Sequence, residues 1–533
     1  MKKLLSLIVI ATITLTAIAQ IQFTPERKLR YAEQIIENFY VDNVDTTKIV
    51  TEAIVAMLKT LDPHSTYTTP DETRELTEPL NGNFSGIGIR FQMINDTLYV
   101  IEAIAGGPSE KTGIIPGDRI ILCNDTLIAG VKMKNSEIMK HLRGPKGTIA
   151  NLKIKRKGIP HLIDFRVTRA DIPIHSLDAA YLINDTVGYI SLSRFAETTT
   201  DEFRNATKQL RSQGMRHLIL DLTDNGGGYM RPATEISEMF LDKGDMIVYT
   251  ESPRNGTTSY IAQKRGNYRD GRLVIMVNQI SASASEILSG AIQDNDRGII
   301  VGRRTFGKGL VQRPFPFPDG SMMRLTVSRY HTPSGRCIQK PYTDGDDQAY
   351  QRDLLDRYNA GELTNPDSIR HFPDSLKYYT LRHNRPVYGG GGIMPDKFVA
   401  IDTTYNTPYY RDLIAKGIIN KYCVNYVDAN RETIKRLHPT ETDYITNYTI
   451  TPQQMTDLIE LGKTEGVDYN ETHYQRSLPI LQAIVKGLIG RDIYDQTTYS
   501  KILTPYDPLF TTALQIITTP ATYTTLLTNP DPQ

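Results

Sequence analysis

The chain has 533 residues, which is too many for one hydrophobic core and predicts two to four domains. Hydrophobic residues make up 39% of it and charged residues 23%, which excludes a disordered or membrane-embedded protein. A formal net charge of +1 gives no electrostatic reason to expect nucleic acid as a partner. Three cysteines are too few and too widely spaced for a disulfide framework or a metal cage.

The first 19 residues have the layout of a secretory signal peptide. Two lysines precede an apolar run from Leu4, and a small-x-small ending stands at residues 17–19 before Gln20. The run is shorter than a bilayer-spanning helix requires, so we expect cleavage after Ala19 and not an uncleaved membrane anchor. The exported protein is predicted to be periplasmic, and the sequence leaves membrane association or further secretion open.

Residues 20–82 predict helices, because apolar side chains recur at helical spacing over 25–41 and 46–61. From residue 83 the period changes to that of strands, and residues 83–169 predict five or six strands with two short helices. The opening GIGI and the central GIIPGDRIILCNDTLI make this unit resemble a PDZ domain, which binds a peptide C-terminus as an added strand. Successive amides of a glycine-rich turn form an anion-binding concavity, so we predict that the terminal carboxylate binds at Ser85, Gly86, Ile87, Gly88 and Ile89.

Residues 186–400 alternate strands with helices, which predicts a layered α/β core. Strands are predicted at 187–192, 216–222, 273–277 and 299–302, and helices at 199–213, 231–241 and 285–293. The polar stretch 343–385 predicts a surface excursion. Residues 401–533 predict an appended helical region, and the sequence does not indicate its role.

The stretch SASASE (281–286) places three serines on alternate positions between a strand pattern and a helical pattern. Ser283 and Glu286 have the spacing of a capping box, so the simplest interpretation is a helix start without chemistry. The stretch TFGKG (305–309) favours a chemical role for the serine as well. A lysine between two glycines projects one long amine from a backbone whose neighbouring residues have no side chains.

A lysine activates a serine hydroxyl only when its amine is neutral. Its pKa must therefore fall from about 10.4 to roughly 7–8, and an apolar pocket is the natural means. Phe306 and Leu310 are the nearby candidates for the pocket walls.

Together these stretches resemble the core of the C-terminal processing (tail-specific) peptidases of serine peptidase family S41. LDPHSTY (61–67), GIGI, LILDLTDNGGG, SASASE, TFGKG and GGIMPD occur here in the family's order, and one departure is Thr223, where the family usually has arginine. The resemblance implies Ser283 as the nucleophile, Lys308 as its base and Gln312 as the residue that orients the lysine. It also implies an oxyanion hole formed by the amides of Gly227 and Ala284.

The fold class that follows is a multidomain α/β protein: a ClpP/crotonase-like protease core with an inserted PDZ-like β-rich domain and helical N- and C-terminal regions. The implied division is a signal peptide (1–19), a helical region (20–82), a PDZ domain (83–169), a peptidase core (170–400) and a C-terminal helical region (401–533). The expected activity is that of an exported serine endopeptidase that recognises protein C-termini, with no metal or cofactor. Expected partners are protein substrates with apolar C-termini, and an adaptor lipoprotein and a homo-oligomer are left open.

Three other interpretations are weaker. GRRTFGKG nearly matches a phosphate-binding loop, but Gly309 stands where a serine or threonine must hold magnesium and a Pro-rich strand follows. A Ser–His–Asp enzyme would need His217 or His331, and neither has a triad context. The third is an inert PDZ-containing scaffold of the cell envelope, which a comparison of the wild type with Ser283→Ala would distinguish from an enzyme.

Overall fold

The computed structural model describes residues 24–254, 256–368 and 372–529, so the predicted signal peptide lies outside the described residues. The chain forms two compact units. The first contains the described residues up to Pro70 with 313–326 and 342–350, and the second contains 71–312, 327–341 and those from 351 onward. Across the described ranges, no helix is both long and apolar enough to cross a bilayer.

The first unit begins with two helices, as the sequence predicts. They are α1 (Pro25–Phe39) and α2 (Thr46–Lys59), and the short strand β1 (Thr66–Thr68) follows. Each helix starts at a side chain that accepts a hydrogen bond from the first turn, Thr24 for α1 and Asp45 for α2. β1 pairs antiparallel with residues 322–324.

The second unit opens with α3 (Pro70–Asn81) and a PDZ-like unit of mainly antiparallel strands. The elements are β2 (Asn83–Gly86), β3 (Ile89–Ile94), β4 (Thr97–Ala103), α4 (Pro108–Lys111), β5 (Arg119–Cys123), β6 (Thr126–Leu127), α5 (Asn135–Leu142), β7 (Ile149–Lys155), β8 (Ile163–Thr168) and β9 (Ala170–Pro173). Strands β3-β4-β5-β7-β8 form one sheet with β6 beside β5, and β2 pairs with β9. The core of this unit is built from almost fully buried aliphatic side chains, among them Leu98, Ile120, Ile138, Leu152 and Val167.

The α/β core follows the predicted alternation. Its elements are β10 (Leu177–Leu182), β11 (Val187–Leu192), α6 (Thr199–Ser212), β12 (His217–Asp221), α7 (Met230–Glu238), β13 (Met246–Ser252), β14 (Gly256–Ile261), β15 (Leu273–Val277), α8 (Ala284–Asp294), β16 (Ile299–Gly302), β17 (Leu310–Pro316), β18 (Met322–His331), α9 (Asp347–Asn359), β19 (Lys377–Tyr379), β20 (Pro386–Tyr388) and β21 (Lys397–Phe398). The central sheet has the order β10-β11-β12-β15-β16-β21 and is parallel except for β10.

The remaining helices are α10 (Pro408–Ala415), α11 (Ile418–Leu437), α12 (Glu441–Asn447), α13 (Pro452–Thr464), α14 (Glu471–Ile493), α15 (Gln496–Leu503), α16 (Pro508–Thr518) and α17 (Pro520–Thr528). Helices α10 to α15 share a hydrophobic core of their own. In contrast, Phe510, Ile517 and Tyr523 of α16 and α17 pack on the central sheet. Helices α6 to α8 cover the opposite face, so all of β15 is buried, as is usual in parallel sheets.

The predicted surface excursion at 343–385 is only partly at the surface, because several of its charged side chains are buried, among them Arg357 and Glu362. Arg357 and Glu362 are each 5% exposed. The Glu362 carboxylate accepts hydrogen bonds from Arg304 at 2.7 and 2.8 Å and from Arg357 at 2.9 Å. A charged pair has no apolar periodicity, and for that reason the sequence pattern did not indicate this packing.

The PDZ-like unit contacts the C-terminal helices through charged side chains. Arg119 of β5 pairs with Asp428 of α11 at 2.8 Å, and Arg90 of β3 pairs with Asp492 of α14 at 3.3 Å. Val424 of α11 adds an apolar contact with the same unit. These contacts give the C-terminal helices a physical connection to the part of the chain that resembles a peptide-binding domain.

Reversing one charge of this contact tests its contribution. Asp428→Lys would place two cations together and is expected to lower the free energy of unfolding by about 1 kcal/mol. The double variant Arg119→Glu with Asp428→Lys restores an attractive pair and should recover more than half of that loss in denaturant titrations. Equal stability of the single and double variants would contradict a direct interaction between these side chains.

Candidate active site

Three loops meet at the carboxyl edge of the central sheet. We call residues 222–229, after β12, the glycine loop; residues 278–286, after β15, the serine loop; and residues 303–309, after β16, the lysine loop. The three strands are parallel neighbours, so they end at one edge and bring these distant stretches side by side. Ligands of open α/β sheets bind outside this edge.

Two of the three alternate serines serve to join the serine loop to the glycine loop. The Ser281 hydroxyl donates to the carbonyl oxygen of Leu222 at 2.7 Å, and the Ser285 hydroxyl donates to that of Asn225 at 2.8 Å. Both side chains are fully buried. Their hydroxyls are therefore committed to structure, which leaves Ser283 as the serine available for chemistry.

Ser283 has an unusual backbone conformation, with φ 55° and ψ −112° immediately before α8. Residues other than glycine rarely adopt positive φ, and such strain is concentrated at functional sites. The glutamate half of the predicted capping box is formed, because Glu286 accepts the Ser283 N–H, but the Ser283 side chain makes no hydrogen bond that caps the helix. Tyr330 donates its hydroxyl to the Ser283 carbonyl oxygen at 3.2 Å, which steadies the turn.

Glu286 connects the serine loop to the lysine loop. Its Oε2 accepts hydrogen bonds from the backbone N–H of Ser283 at 2.8 Å and of Lys308 at 2.9 Å. Its Oε1 accepts from the Thr305 hydroxyl at 2.5 Å and from the Gly307 N–H at 2.8 Å. Because one oxygen binds both nitrogens, the backbones of Ser283 and Lys308 are held next to each other.

The four hydrogen-bond donors around Glu286 favour the ionised form of its carboxyl group. Burial raises the pKa of this carboxyl above its usual value, and the hydrogen bonds from Thr305, Lys308, Gly307 and Ser283 oppose that shift. A carboxylate offers acceptors on both oxygens, whereas the protonated acid would turn a donor toward one of these groups. The geometry therefore fits the ionised form.

The lysine loop holds Lys308 half-buried between Gly307 and Gly309. Leu310, one of the two predicted wall residues, is buried at 2% exposure. The other, Phe306, has the ammonium nitrogen of Lys340 4.2 Å from its ring centre.

Gln312 lies in β17, where its Nε2 donates to the Leu310 carbonyl oxygen at 3.4 Å. The roles of Lys308 as base and of Gln312 as the residue that orients it stay predictions.

The predicted oxyanion residues lie together. A Cβ at Gly227 would fall 2.8 Å from the Ser283 Cβ and 3.0 Å from the Ala284 nitrogen, and its φ is +99°, so the position requires glycine. The Ala284 N–H donates to no atom of the described residues. The Gly227 N–H, however, donates to the side-chain oxygen of Asn225 at 2.9 Å. A substrate oxygen would have to share that N–H with Asn225 or displace it.

Asp221, at the end of β12, is a buried acid beside the glycine loop. It accepts hydrogen bonds from the Tyr189 hydroxyl at 2.6 Å and from the Thr223 hydroxyl and N–H at 2.7 and 2.8 Å. Thr223, the residue that departs from the family pattern, thus closes the turn locally. Desolvation raises the pKa of Asp221 to about 6, and the hydrogen bonds limit the shift.

This pKa predicts a pH dependence of stability. The folded protein binds the Asp221 proton more tightly than the unfolded chain, so its contribution to stability is greatest below about pH 4 and falls until about pH 6. The rise of the Asp221 pKa to about 6 corresponds to about 3 kcal/mol. The free energy of unfolding of wild type relative to Asp221→Asn should therefore decrease by roughly that amount between pH 4 and pH 8. A difference independent of pH would contradict the assignment.

The predicted carboxylate-binding turn lies between β2 and β3. Ser85 and Gly86 pair with β9, and the Ile87 and Gly88 amides donate to no atom of the described residues. Gly88 has φ +74°, and a Cβ there would fall 2.8 Å from the Ile172 side chain. Beside the turn is a pocket of about 60 Å³, whose lining includes Ile87, Gly88, Ile89, Met139 and Leu142. Two amides and an apolar pocket have the chemistry that an apolar C-terminus requires.

The two histidines considered for a triad have other contacts. His331 stacks on Tyr249 at 4.8 Å between ring centres and lies 3.3 Å from a Glu251 oxygen. His217 begins β12, at the end of the strand away from the serine loop. The lysine loop is followed by strand β17 and not by the helix of a phosphate-binding loop.

Sequence reasoning missed several residues that hold the site together. Glu286 was visible, but only as a capping residue, and its bonds to the lysine loop come from the fold. Asn225 joins the glycine loop to the serine loop by accepting at its carbonyl oxygen from Ala282 and Ser285. Arg357 donates to the carbonyl oxygen of Arg304 in the lysine loop at 2.7 Å. No local pattern marks these long-range contacts.

Three family models match the chain. Residues 186–348 match peptidase family S41, residues 85–167 match the PDZ domain, and residues 409–495 match a family of unknown function. The first two matches cover the loops and the turn described above.

Among curated proteins, the chain is similar to the carboxy-terminal processing protease CtpB of Bacillus subtilis (strain 168), with 34% identity over 316 residues. That match covers 59% of this chain and 65% of the relative, less than two thirds of its length. The carboxy-terminal-processing protease of Bartonella bacilliformis is 34% identical over 305 residues, 56% of this chain and 69% of the relative. A solved photosystem II D1 C-terminal processing protease is 28% identical, with coverage of 59% and 91% and a TM-score of 0.33.

Proposed function

This chain belongs to peptidase family S41, and from that membership we propose that it is a serine endopeptidase that processes protein C-termini. The observation that carries the proposal is the Glu286 carboxylate, whose Oε2 accepts the backbone N–H of both Ser283 and Lys308. A nucleophile and its base must lie within reach of each other, and this shared acceptor supports that arrangement.

In the proposed reaction, the neutral amine of Lys308 takes the hydroxyl proton as Ser283 Oγ attacks the substrate carbonyl carbon. The oxyanion that forms binds the amides of Ala284 and Gly227, and Gln312 orients the lysine. The C–N bond then breaks, and Lys308 returns the proton to the leaving amine. Water, deprotonated by the same amine, hydrolyses the acyl ester and releases Ser283.

The hydrogen bond from the Gly227 N–H to Asn225 affects how the oxyanion can bind. Its side-chain oxygen accepts the Gly227 N–H, so the oxyanion must replace this bond or share the N–H. The Ala284 N–H needs no such exchange. We therefore assign Ala284 as the first donor to the oxyanion and Gly227 as the second.

We propose further that the PDZ-like unit selects the substrate by its tail. The Ser85–Ile89 turn would bind the terminal carboxylate, and the adjacent apolar pocket would take the last side chain. The signal-like residues 1–19 support the proposal that the protein is exported to the periplasm. An adaptor lipoprotein remains a proposal. A homo-oligomer is supported by the exposed apolar side chains Leu29 and Phe39 of α1.

The test is cleavage of an unfolded protein with an apolar C-terminus. The wild type should cleave it and Ser283→Ala should not, and an uncleaved substrate with both proteins would favour the inert scaffold. Amidating the substrate's C-terminal carboxylate should reduce kcat/KM roughly tenfold, because hydrogen bonds to a charged acceptor are lost. Cleavage of a second peptide that lacks the apolar tail, measured in the same reaction, controls for changes at the active site itself. Equal cleavage of the free and amidated forms would exclude carboxylate recognition by the turn.

A further inference from the structure

A second pocket lies at the amino edge of the central sheet, away from the three loops of the candidate active site. It has a volume of about 350 Å³ and is lined by His217, which begins β12, and Leu273, which begins β15. Each strand has five residues, and a strand rises about 3.3 Å per residue, so the two sites are separated by roughly 15 Å.

The charges around this pocket are strongly unbalanced. Its lining contains a single acidic residue, Asp270, and four arginines, which are Arg211, Arg216, Arg272 and Arg297. Asp270 is largely exposed and pairs with Arg265 at 3.1 Å, outside the lining. Within the described part of the chain, none of the four arginines has a carboxylate oxygen within 4 Å. Most of the arginines buried elsewhere form a direct ion pair, and these four form none within the described residues.

Arg297 is the buried member, with 5% exposure. Its Nε donates to the Phe240 carbonyl oxygen at 3.0 Å and its Nη2 to that of Tyr268 at 2.7 Å, whereas Nη1 donates to no described protein atom. By comparison, the buried Arg336 and Arg385 each contact a carboxylate. Burial lowers the pKa of Arg297 to about 10, the direction expected of a desolvated cation, and more distant acidic groups such as Asp270 only partly oppose the shift. A bound anion would offset this desolvation.

The pocket also has an apolar part. The Phe240 and Tyr268 rings lie 6.2 Å apart, and the guanidinium of Arg211 lies 5.3 Å from the centre of the Tyr268 ring. Arg272 extends from the sheet edge, where its Nη2 lies 2.8 Å from His217 Nε2. Cationic groups and aromatic walls therefore share one cavity.

We propose that this pocket binds a phosphate monoester that carries a small apolar or aromatic group. Guanidinium groups offer paired N–H donors that match phosphate oxygens. Four arginines against one aspartate suit a dianion better than a single carboxylate, because the attraction scales with the ligand charge. The partly exposed ring of Tyr268, which packs on the buried Phe240, provides the contact surface for the organic group. The site is independent of peptide-bond cleavage and does not rest on the proposed function.

Calorimetric titration of the full chain with phenyl phosphate, at an ionic strength held constant with sodium chloride, tests the site. We expect one saturable site, with inorganic phosphate binding more weakly because it lacks the ring. The rim variant Arg211→Gln/Arg216→Gln should weaken phenyl phosphate binding at least tenfold. Both side chains are exposed, so the variant should fold. Arg204→Gln/Arg231→Gln removes the same charge from exposed positions outside the pocket and should leave affinity within twofold.

Sedimentation with phosphatidylcholine vesicles that contain phosphatidic acid distinguishes the source of the phosphate. Vesicle binding that requires Arg211 and Arg216 would support the site and identify a lipid headgroup as its ligand. Binding of phenyl phosphate alone would support the site with a soluble ligand. No saturable binding of phenyl phosphate, or equal loss of affinity in the rim and control variants, would overturn the proposal.

Discussion

Replacing Lys308 by arginine is expected to lower kcat/KM for an unfolded, tail-bearing substrate by about 10³-fold or more. Arginine stays protonated at every accessible pH, so it cannot take the Ser283 proton. The backbone N–H of residue 308 would still donate to Glu286, so the loop itself should be retained. Steady-state rates between pH 6 and pH 10 give the measurement, and raising the pH should not rescue the variant.

Two comparisons isolate the chemical step in this experiment. Lys243→Arg changes an exposed lysine in a loop of the core and should cleave at the wild-type rate. Affinity of the Lys308→Arg protein for a peptide with an apolar C-terminus should equal that of the wild type, since the Ser85–Ile89 turn is unchanged. A Lys308→Arg rate within tenfold of wild type would remove the Ser/Lys dyad from consideration.

Glu286→Gln is expected to reduce kcat by about 10²-fold and the free energy of unfolding by about 3 kcal/mol. The amide has nearly the same shape as the carboxylate, but one of its two ends is a donor. All four groups around Glu286 donate hydrogen bonds, so in either orientation the amide faces at least one backbone N–H without an acceptor. Either the Ser283 and Lys308 N–H groups or the Gly307 N–H would lose its acceptor, and in both cases the connection between the serine loop and the lysine loop is weakened.

The readout that distinguishes positioning from general destabilisation is the split between kcat and KM. The tail-binding turn lies in the PDZ-like unit, so KM should change little while kcat falls, even well below the melting temperature. Glu52→Gln makes the same chemical change at an exposed position of α2 and should alter neither kcat nor stability. A Glu286→Gln enzyme with wild-type kcat would show that the shared carboxylate does not position the two loops.

Much of the fold could be predicted because its signals are local. β11, β15 and β16 were predicted at their observed bounds, since short apolar runs between turn residues define buried strands. The PDZ-like unit followed from strand periodicity and glycine turns. The end of the chain was less informative, because amphipathic helices look alike whichever surface they cover. For that reason the packing of α16 and α17 on the central sheet was not foreseen.

By itself, the sequence determined the kinds of elements, their order and the candidate nucleophile and base, because periodicity and short motifs are carried by neighbouring residues. Only the tertiary structure decided which groups these residues meet. It assigned the hydroxyls of Ser281 and Ser285 to backbone carbonyls, and it used Glu286 to join two loops. It also showed that the Gly227 N–H donates a hydrogen bond to the side chain of Asn225. Such polar contacts join positions that are distant along the chain and depend on distance and direction, which no local pattern encodes.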